Sequence, residues 1–422
     1  MINRHIYTAL LYVLLPFLPL RLAWRARKQP EYLQHVGERF GFYSLKPTKP
    51  IIWLHAVSVG ETHAAAPLIK RFQQHHPDHQ ILLTHMTPTG RATSAELWGD
   101  EVLRCYLPYD YPFAVRKFLR HFQPSLGILL ETELWPNLIS ICHEQHIPLA
   151  LVNARLSERS ARGYARFPAL VGDTLNTLAL IVAQTDADRD RLQALSTGHI
   201  HVMGNLKFDN DIPSLQIDLG KMFREKFGAN RPVWLAASTR DGEEKLLLET
   251  LQKIEAPNAL AVIVPRHPQR FNEVAELLKS NRIAFQRRSE NSAIAPATRV
   301  VLGDSMSEMF AYFAASDVAF IGGSLLPLGG QNLIEACAVG TPVLIGPHTF
   351  NFAEATNQAI AAGAAKRVAD ALELAQAIDL LLENPAQRKT MADAGLAFTA
   401  AHRGASVRAY ELVSSLLARP GF

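Results

Sequence analysis

Cysteine is scarce in this chain of 422 residues, which contains only three. Cys105, Cys142 and Cys337 lie far apart in apolar or helical contexts, so they form neither a disulfide framework nor a metal-binding motif. A reducing compartment is therefore the simplest interpretation. An excess of one charge is also lacking, because 43 Lys and Arg face 39 Asp and Glu. A net charge of +4 favours an anionic membrane or substrate only weakly, and we predict no nucleic-acid partner.

Two familiar phosphate-binding signatures are missing as well: the sequence has no GxGxxG fingerprint and no Walker lysine. What is present is an ordinary globular composition, with 48% hydrophobic and 19% charged residues, which excludes a disordered chain. A chain of this length exceeds the usual size of one hydrophobic core, so we expect two domains.

The N-terminus carries the one long apolar run of the sequence. Residues 6–24 read IYTALLYVLLPFLPLRLAW, and the basic segment RARK follows at residues 25–28. A signal peptide would instead end in small residues at a cleavage site. The run is short for a clean span and contains Pro16 and Pro19. We predict a membrane anchor, spanning or half-inserted, with its basic flank on the cytoplasmic side. The alternative is a helix buried against the first domain.

The rest of the chain repeats one pattern twice. Seven short apolar runs between residues 51 and 204 alternate with helix-length stretches, and six more follow between residues 233 and 346. This alternation predicts two α/β domains, each a doubly wound parallel sheet, with helices from about Leu372 onwards. Ligands of such sheets bind beyond the carboxyl ends of the strands, so we expect a cleft between the domains.

Three candidate residues follow predicted strands of the first half. Glu61 comes after the first strand, where Gly60 is expected to turn the backbone tightly before a helix near Thr62. A carboxylate there could accept a proton from an attacking hydroxyl, or merely favour the helix dipole. Glu131 is either a functional carboxylate or the partner of a nearby cation. Lys207 could neutralise a departing phosphate, although a lysine is usually solvated surface.

Glu133 lies one residue beyond Thr132 in the same segment as Glu131, so both carboxylates reach the cleft only if the strand continues.

The second half has the features of a nucleotide site. Arg266 emerges after a strongly apolar strand, where a guanidinium suits phosphate or carboxylate. Residues 238–244 offer hydroxyls and backbone N–H groups to an anion. The glycines of residues 322–330 would let backbone approach phosphate at a helix that begins near Asn332. Glu335 could hold ribose hydroxyls.

Together these segments resemble the 3-deoxy-D-manno-octulosonic acid (Kdo) transferases of Gram-negative lipopolysaccharide synthesis. The matching segments cover nearly the whole chain: GERFGFY (37–43), HAVSVGE (55–61), TPTGR (87–91), ETELWPNLI (131–139), NARLS (153–157), GNLKFD (204–209), VPRHP (264–268), GGS (322–324), NLIEA (332–336) and GPHTFNF (346–352).

The resemblance implies a GT-B glycosyltransferase of the cell inner membrane, with its catalytic domains on the cytoplasmic side. It implies CMP-Kdo as donor and the tetraacylated, bisphosphorylated lipid A precursor as acceptor, with inverting transfer to the primary 6′-hydroxyl. Partners would then be CMP-Kdo, the lipid A precursor and inner-membrane lipids. The number of Kdo residues added is left open by these motifs.

The resemblance also assigns roles to residues. It makes Glu61 the proton acceptor, and Glu131 and Lys207 the residues that stabilise the transition state. The residues that would contact the CMP of the donor are Pro265, Arg266, Met306, Ser307, Glu308, Asn332, Leu333, Ile334 and Glu335. Gln331 departs from the histidine of many members, and it cannot carry a positive charge.

The predicted organisation is a membrane anchor with basic flank over residues 1–28, an acceptor-binding domain over 29–210, a linker over 211–232 and a CMP-sugar-binding domain with C-terminal helices over 233–422. No DxD motif stands in a suitable place, and side chains with helix ends could stabilise the phosphate, so we expect neither metal nor cofactor. Two alternatives are a non-hydrolysing nucleotide-sugar epimerase of similar fold and a membrane-tethered nucleotide-binding module without catalysis.

Overall fold

The computed structural model describes residues 2–27 and 29–417, and the chain divides into two compact units. Unit 1 comprises Met1–Asn210 together with Arg403–Phe422, and unit 2 comprises Asp211–His402. Each unit contains one seven-stranded sheet in which every strand pair is parallel. The predicted α/β class with two doubly wound parallel sheets is confirmed.

The sheet of unit 1 has the strand order β3-β2-β1-β4-β5-β6-β7. Its strands are β1 Ile51–His55, β2 Gln80–His85, β3 Leu103–Tyr106, β4 Pro124–Leu130, β5 Leu149–Ala154, β6 Leu180–Ala183 and β7 Ile200–Val202. The order reverses between β1 and β4, which is the topological switch point of this sheet.

Successive side chains of β1 enter opposite faces of the sheet, and both faces are buried. Trp53 belongs to one hydrophobic cluster and Leu54 to the other, and neither side chain is exposed. Burial on both sides is why these strands read as continuous apolar runs. The helices that cover them, and the N-terminal pair, are α1 Arg4–Leu14, α2 Leu18–Ala26, α3 Val59–His75, α4 Pro88–Trp98, α5 Pro112–Phe122, α6 Pro136–Glu144, α7 Glu158–Tyr164, α8 Pro168–Asn176 and α9 Asp186–Gln193.

The sheet of unit 2 has the order β10-β11-β9-β8-β12-β13-β14, so its switch point lies between β8 and β12. Its strands are β8 Val233–Thr239, β9 Leu260–Pro265, β10 Phe285–Arg287, β11 Val300–Leu302, β12 Val318–Ile321, β13 Val343–Ile345 and β14 Ala365–Arg367. The last strand was not among the predicted six, because its three residues include a lysine and an arginine and lack an apolar run.

The helices of unit 2 are α10 Ser214–Phe227, α11 Glu243–Lys253, α12 Phe271–Ser280, α13 Met309–Ala314, α14 Ile334–Ala338, α15 Ala353–Ala361, α16 Ala371–Glu383 and α17 Pro385–Ala401. The segment expected to be a linker over 211–232 is thus largely helix α10. Gly220, Phe223 and Phe227 are its buried residues, spaced three and four apart, and the Phe223 ring lies 5.1 Å from that of Tyr312 on α13. The many charges of this segment obscured that narrow apolar stripe.

The C-terminal residues differ from the expected assignment to the second domain. Helix α18 (Ala405–Ser414) belongs to unit 1, where its buried Ala409 and Val413 join the core on the α3 side of the sheet. The Asp209 carboxylate caps this helix by accepting the Gly404 N–H at 2.7 Å and the Ser406 N–H. A local pattern predicts that a helix forms, but it does not say which unit the helix joins.

The N-terminal segment lies against unit 1 on one side and is open on the other. The Tyr7 hydroxyl donates to the Asp110 carboxylate at 3.0 Å, and Arg4 pairs with Glu144 at 2.8 Å. Among the described residues of this segment only Leu22 is buried, so a buried core helix is the wrong interpretation. Residues 4–26 are long and apolar enough to cross a membrane. Within the predicted 1–28 anchor, residues 1 and 28 lie outside the described residues.

Candidate active site

Glu61 is held at the start of α3 by its own loop. Helix α3 begins at Val59 after the N-cap residue Ser58, so Glu61 is the third helical residue. One carboxylate oxygen accepts the Val57 N–H at 2.8 Å and the other accepts the Ser58 hydroxyl at 2.8 Å. The expected tight turn at Gly60 is wrong, because this glycine is helical and has no positive φ.

Ser58 is a site residue that the sequence analysis missed. The spacing Ser58-x-x-Glu61 is that of a capping box, which is a recognisable signal for a helix start. Here the glutamate reaches back to the loop, while the Ser58 hydroxyl donates to the glutamate. The arrangement fixes the direction of the Glu61 carboxylate.

Burial raises the pKa of Glu61 to about 8, and the nearby Glu131 carboxylate contributes to the rise. The hydrogen bonds from Val57 and Ser58 oppose it, because they favour the ionised form. A carboxyl group whose pKa lies near neutral pH can accept a proton in one step and return it in the next. This is the property expected of a general base.

Glu131 and Lys207 form an ion pair. Strand β4 ends at Leu130, and Glu131 adopts a left-handed φ of 60°. Its carboxylate accepts from the Lys207 ammonium at 2.8 Å, and both side chains are mostly shielded from solvent. The structure therefore brings Glu61, Glu131 and Lys207 together at the switch point of unit 1. The interpretation of Glu131 as a cation's partner is confirmed, and its functional role stays a prediction.

Glu133 takes a different direction from Glu131, because the strand does not continue. Its carboxylate accepts from the Trp135 indole N–H at 2.8 Å, and burial raises its pKa. The Nε2 atom of His55 lies 3.9 Å from it. Burial lowers the pKa of His55 to about 3 and that of His85 to about 4, so both imidazoles are neutral at pH 7. No local spacing marks these two histidines as supports of the site.

In unit 2, Arg266 follows β9, and its backbone N–H donates to the Thr239 carbonyl at 3.0 Å. Burial lowers the pKa of Arg266, and the carboxylate of Glu335 opposes that effect. Glu335 in turn accepts from the Asn332 amide at 2.9 Å, so these predicted CMP contacts form one group with Pro265 at the end of β9. Helix α14 begins at Ile334, slightly later than predicted.

The other predicted CMP residues lie around this group. Leu333 is buried beneath the start of α14. Met306 is half exposed, and Ser307 has a φ of 60° in the loop before α13. The Glu308 carboxylate pairs with Arg288 at 3.0 Å, and Gln216 of α10 donates to the Ser307 carbonyl at 2.6 Å.

The glycine turn after β12 is not an open anion site. The buried carboxylate of Glu243 accepts the N–H groups of Gly323 at 2.6 Å, Ser324 at 3.1 Å and Leu325 at 3.2 Å. It also accepts the Arg240 N–H at 3.2 Å. The N–H groups of Gly323, Ser324 and Leu325 are therefore bonded to an anion that the protein itself supplies, and the approach of a phosphate to the glycines stays a prediction. The sequence interpretation missed Glu243, which reads as an ordinary acidic residue in the first turn of a helix.

Comparisons with known proteins decide the family. Residues 34–210 match the 3-deoxy-D-manno-octulosonic-acid transferase family, and residues 243–397 match the family of glycosyl transferases group 1. The chain is 42% identical to the 3-deoxy-D-manno-octulosonic acid transferase of Bordetella pertussis, over 98% of this chain and 100% of that protein. The chain belongs to the Kdo transferase family. It is thus a glycosyltransferase, and its two sheets have the GT-B architecture predicted from the resemblance.

Solved structures confirm the fold and do not bear on the function, because their sequence identity to this chain is low. A glycosyltransferase from Rickettsia africae aligns with a TM-score of 0.61 at 15% identity, covering 89% of this chain and 100% of that chain. The UDP-GlcNAc 2-epimerase of Neisseria meningitidis aligns with a TM-score of 0.60 at 18% identity, covering 88% and 100%. Since a transferase and an epimerase fit equally well, the architecture does not discriminate between these classes, whereas family membership favours the transferase.

Proposed function

We propose that this Kdo transferase moves Kdo from CMP-Kdo to the primary 6′-hydroxyl of the tetraacylated, bisphosphorylated lipid A precursor, with inversion. The observation that carries the proposal is the Glu61 carboxylate, which is fixed by two hydrogen bonds and has its pKa raised to about 8. A single inverting displacement needs one base for the attacking hydroxyl, and Glu61 has the properties of such a base.

In the proposed step the acceptor oxygen attacks the anomeric carbon of Kdo while Glu61 takes the hydroxyl proton. The bond between that carbon and the phosphate oxygen breaks, and CMP leaves with the electron pair. Glu131 and Lys207 would stabilise the transition state. The negative charge of Glu131 raises the pKa of Glu61, and the Lys207 ammonium pairs with the Glu131 carboxylate at 2.8 Å.

Unit 2 would bind the CMP part of the donor. Arg266 would neutralise the phosphate, and Asn332 and Glu335 would hold the ribose. The remaining proposed contacts are Pro265, Met306, Ser307, Glu308, Leu333 and Ile334. Support comes from the grouping of Arg266, Asn332 and Glu335 at the ends of β9 and the start of α14.

The test uses full-length protein, CMP-Kdo and lipid A precursor, with mass spectrometry of the lipid. Wild type should add Kdo increments, and their number measures how many residues are transferred. Glu61→Gln should lose nearly all turnover and still bind CMP, because glutamine can accept the Val57 N–H and donate to the Ser58 hydroxyl but accepts no proton. Glu158→Gln is the matched control, since Glu158 is an exposed first-turn glutamate of α7. No increment with wild type, or full turnover with Glu61→Gln, would contradict the proposal, and the first result together with CMP binding would favour a non-catalytic binding module.

The N-terminal segment would hold the protein on the cytoplasmic face of the inner membrane. Val13, Phe17, Leu20 and Trp24 each have at least 60% of their side chain exposed. Such a face binds bilayer lipid in proportion to the apolar area it inserts. Replacing these four residues with serine should reduce sedimentation with anionic phospholipid vesicles, whereas Leu215→Ser, which changes an exposed leucine of α10, should not. Equal binding of both variants would refute membrane attachment by this segment. Substitution is preferable to deletion, because deletion also removes the partner of buried Asp110.

We further propose that transfer requires no metal, because guanidinium and ammonium groups supply the positive charge. Among the described residues, one group of potential ligands is close enough to hold an ion: His76, Asp78 and His79, beyond the last residue of α3. Glu61 lies at the other end of that helix. Turnover should therefore be unchanged in excess chelator, and a loss that added Mg²⁺ restores would refute this point.

A further inference from the structure

Two half-buried arginines of unit 2, Arg240 and Arg266, make no side-chain hydrogen bond within the described parts of the chain, and the Glu335 carboxylate acts on Arg266 through its charge alone. The other half-buried arginines of this unit all donate to a carboxylate, amide or carbonyl oxygen; they are Arg224, Arg231, Arg270, Arg287, Arg288, Arg367 and Arg388. A partly desolvated guanidinium without an acceptor is unfavourable, so such a group points to an external anion.

Arg240 lies where a doubly wound sheet binds its ligand. It directly follows β8, and the turn Gly322–Ser324 directly follows β12, so the two loops flank the switch point of unit 2. The Arg266 N–H is bonded to the Thr239 carbonyl, which places Arg266 on the neighbouring strand end. The two guanidiniums are close enough for Arg240 to lower the pKa of Arg266.

Arg240 and Gln331 converge on Gly323. A methyl group built on Gly323 would lie 3.2 Å from Cγ of Arg240 and 3.2 Å from Nε2 of Gln331. Gly323 has a φ of 69°, and its carbonyl accepts the Gly330 N–H at 2.7 Å. Glu243 ties the same loops together through the N–H groups of Arg240 and Gly323. The aliphatic stem of Arg240 and the side-chain amide of Gln331 thus both lie against Gly323, on a backbone that Glu243 holds in place.

Resting on the proposed function, we infer that Arg240, with the Gln331 amide, binds the carboxylate of the sugar, while Arg266 binds the phosphate of CMP. The donor has two anionic groups, and unit 2 has two half-buried guanidiniums without an internal acceptor. A guanidinium beside an amide NH₂ matches the two oxygens of a carboxylate. Arg240 is then a residue that selects an acidic sugar, and Gln331 serves as a neutral donor that needs no positive charge.

The test compares two ligands on full-length protein by calorimetry: CMP, which has the phosphate only, and CMP-Kdo, which has both anions. Arg240→Met should weaken CMP-Kdo binding about 10-fold to 100-fold, the usual range for a charged hydrogen bond, and change CMP binding less than twofold. The CMP-Kdo affinity of Arg240→Lys should lie between those of wild type and Arg240→Met, because lysine keeps the positive charge but lacks the paired N–H donors of the guanidinium. Arg266→Met should weaken the binding of both ligands. Arg282 is an exposed arginine after α12, and Arg282→Met should change the binding of neither ligand.

Equal weakening of both ligands by Arg240→Met would make Arg240 a phosphate residue and overturn the assignment. Unchanged binding of both would overturn it as well. Retained CMP binding and an unchanged Tm show that the variant is folded. If wild type binds CMP-Kdo no better than CMP and transfers no Kdo, the proposed function fails instead, so the two failures are distinguishable.

Discussion

The two units have closely similar sheets, yet the loops at their switch points carry opposite chemistry. In unit 1 the loops after β1 and β4 supply the carboxylates of Glu61 and Glu131. In unit 2 the loops after β8 and β9 supply the guanidiniums of Arg240 and Arg266. Glu243, a buried carboxylate that follows β8, accepts hydrogen bonds from the backbone N–H groups of Gly323, Ser324 and Leu325.

This difference teaches that the shared topology fixes where a ligand binds and leaves the chemistry to a few strand-end residues. Unit 1 raises the pKa of a carboxyl group by burial and by a second carboxylate, which suits proton transfer. In unit 2, the guanidiniums of Arg240 and Arg266 have no hydrogen-bond acceptor among the described residues, which suits anion binding. Catalysis and donor binding should therefore separate by unit under mutation.

The largest expected effect is on turnover by Glu61→Gln. We expect kcat/KM to fall by about 10²-fold to 10⁴-fold, the usual contribution of a general base, with the Kd for CMP changed less than twofold. Steady-state kinetics and calorimetry measure the two quantities. A large loss of CMP affinity would break the division between the units.

Arg266→Met should have the converse effect. Loss of a charged hydrogen bond of about 1.5–3 kcal/mol predicts a Kd for CMP roughly 10-fold to 100-fold higher. Because Glu61 belongs to unit 1, its pKa should not change in this variant. The pH dependence of turnover at saturating donor therefore serves as the internal control. A shifted pH profile would show that Arg266 acts on proton transfer.

Glu243→Ala should destabilise the protein without touching a proposed ligand contact. It leaves several buried N–H groups without an acceptor, at a cost of about 1–3 kcal/mol for each unsatisfied group and less after water enters. Thermal unfolding should shift downward by several degrees. An unchanged Tm with weakened CMP binding would instead make Glu243 a binding residue.

The smallest expected effect concerns pH. If Glu61 is the base as proposed, kcat/KM should rise with pH and level off above about 8. Glu131→Gln removes a negative charge that raises this pKa, so the rise in kcat/KM should move to lower pH.

Folding raises the pKa of Glu61 above its ordinary value, so the contribution of Glu61 to folding stability is complete below pH 4.5 and is lost towards pH 8. Glu61→Gln should therefore gain stability relative to wild type as pH rises, and constant relative stability would count against burial of this group.

Much of this arrangement follows from local sequence. Buried parallel strands produce continuous apolar runs, so all seven strands of unit 1 and the strand-end position of Glu61 could be predicted. Strand β14 was missed because two of its three residues are charged, and helix α10 was missed because its charged amphipathic sequence gives a weak pattern. The Glu131–Lys207 pair joins residues 76 positions apart, and the contacts of Glu243 depend on a turn about 80 residues away. Tertiary pairings of this kind leave no trace in local spacing.

Helix α18 has a consequence for how the chain is made. Asp209 can accept its hydrogen bonds only after Gly404 and Ser406 have been synthesised. The core beside α3 likewise lacks Ala409 and Val413 until the end of synthesis. During synthesis, all of unit 2 leaves the ribosome before unit 1 receives its last helix. The carboxylates of Glu61 and Glu131 thus lie in the unit that is completed last, and a nascent chain cut short before α18 would expose an unfinished core to the chaperones and proteases of the cell.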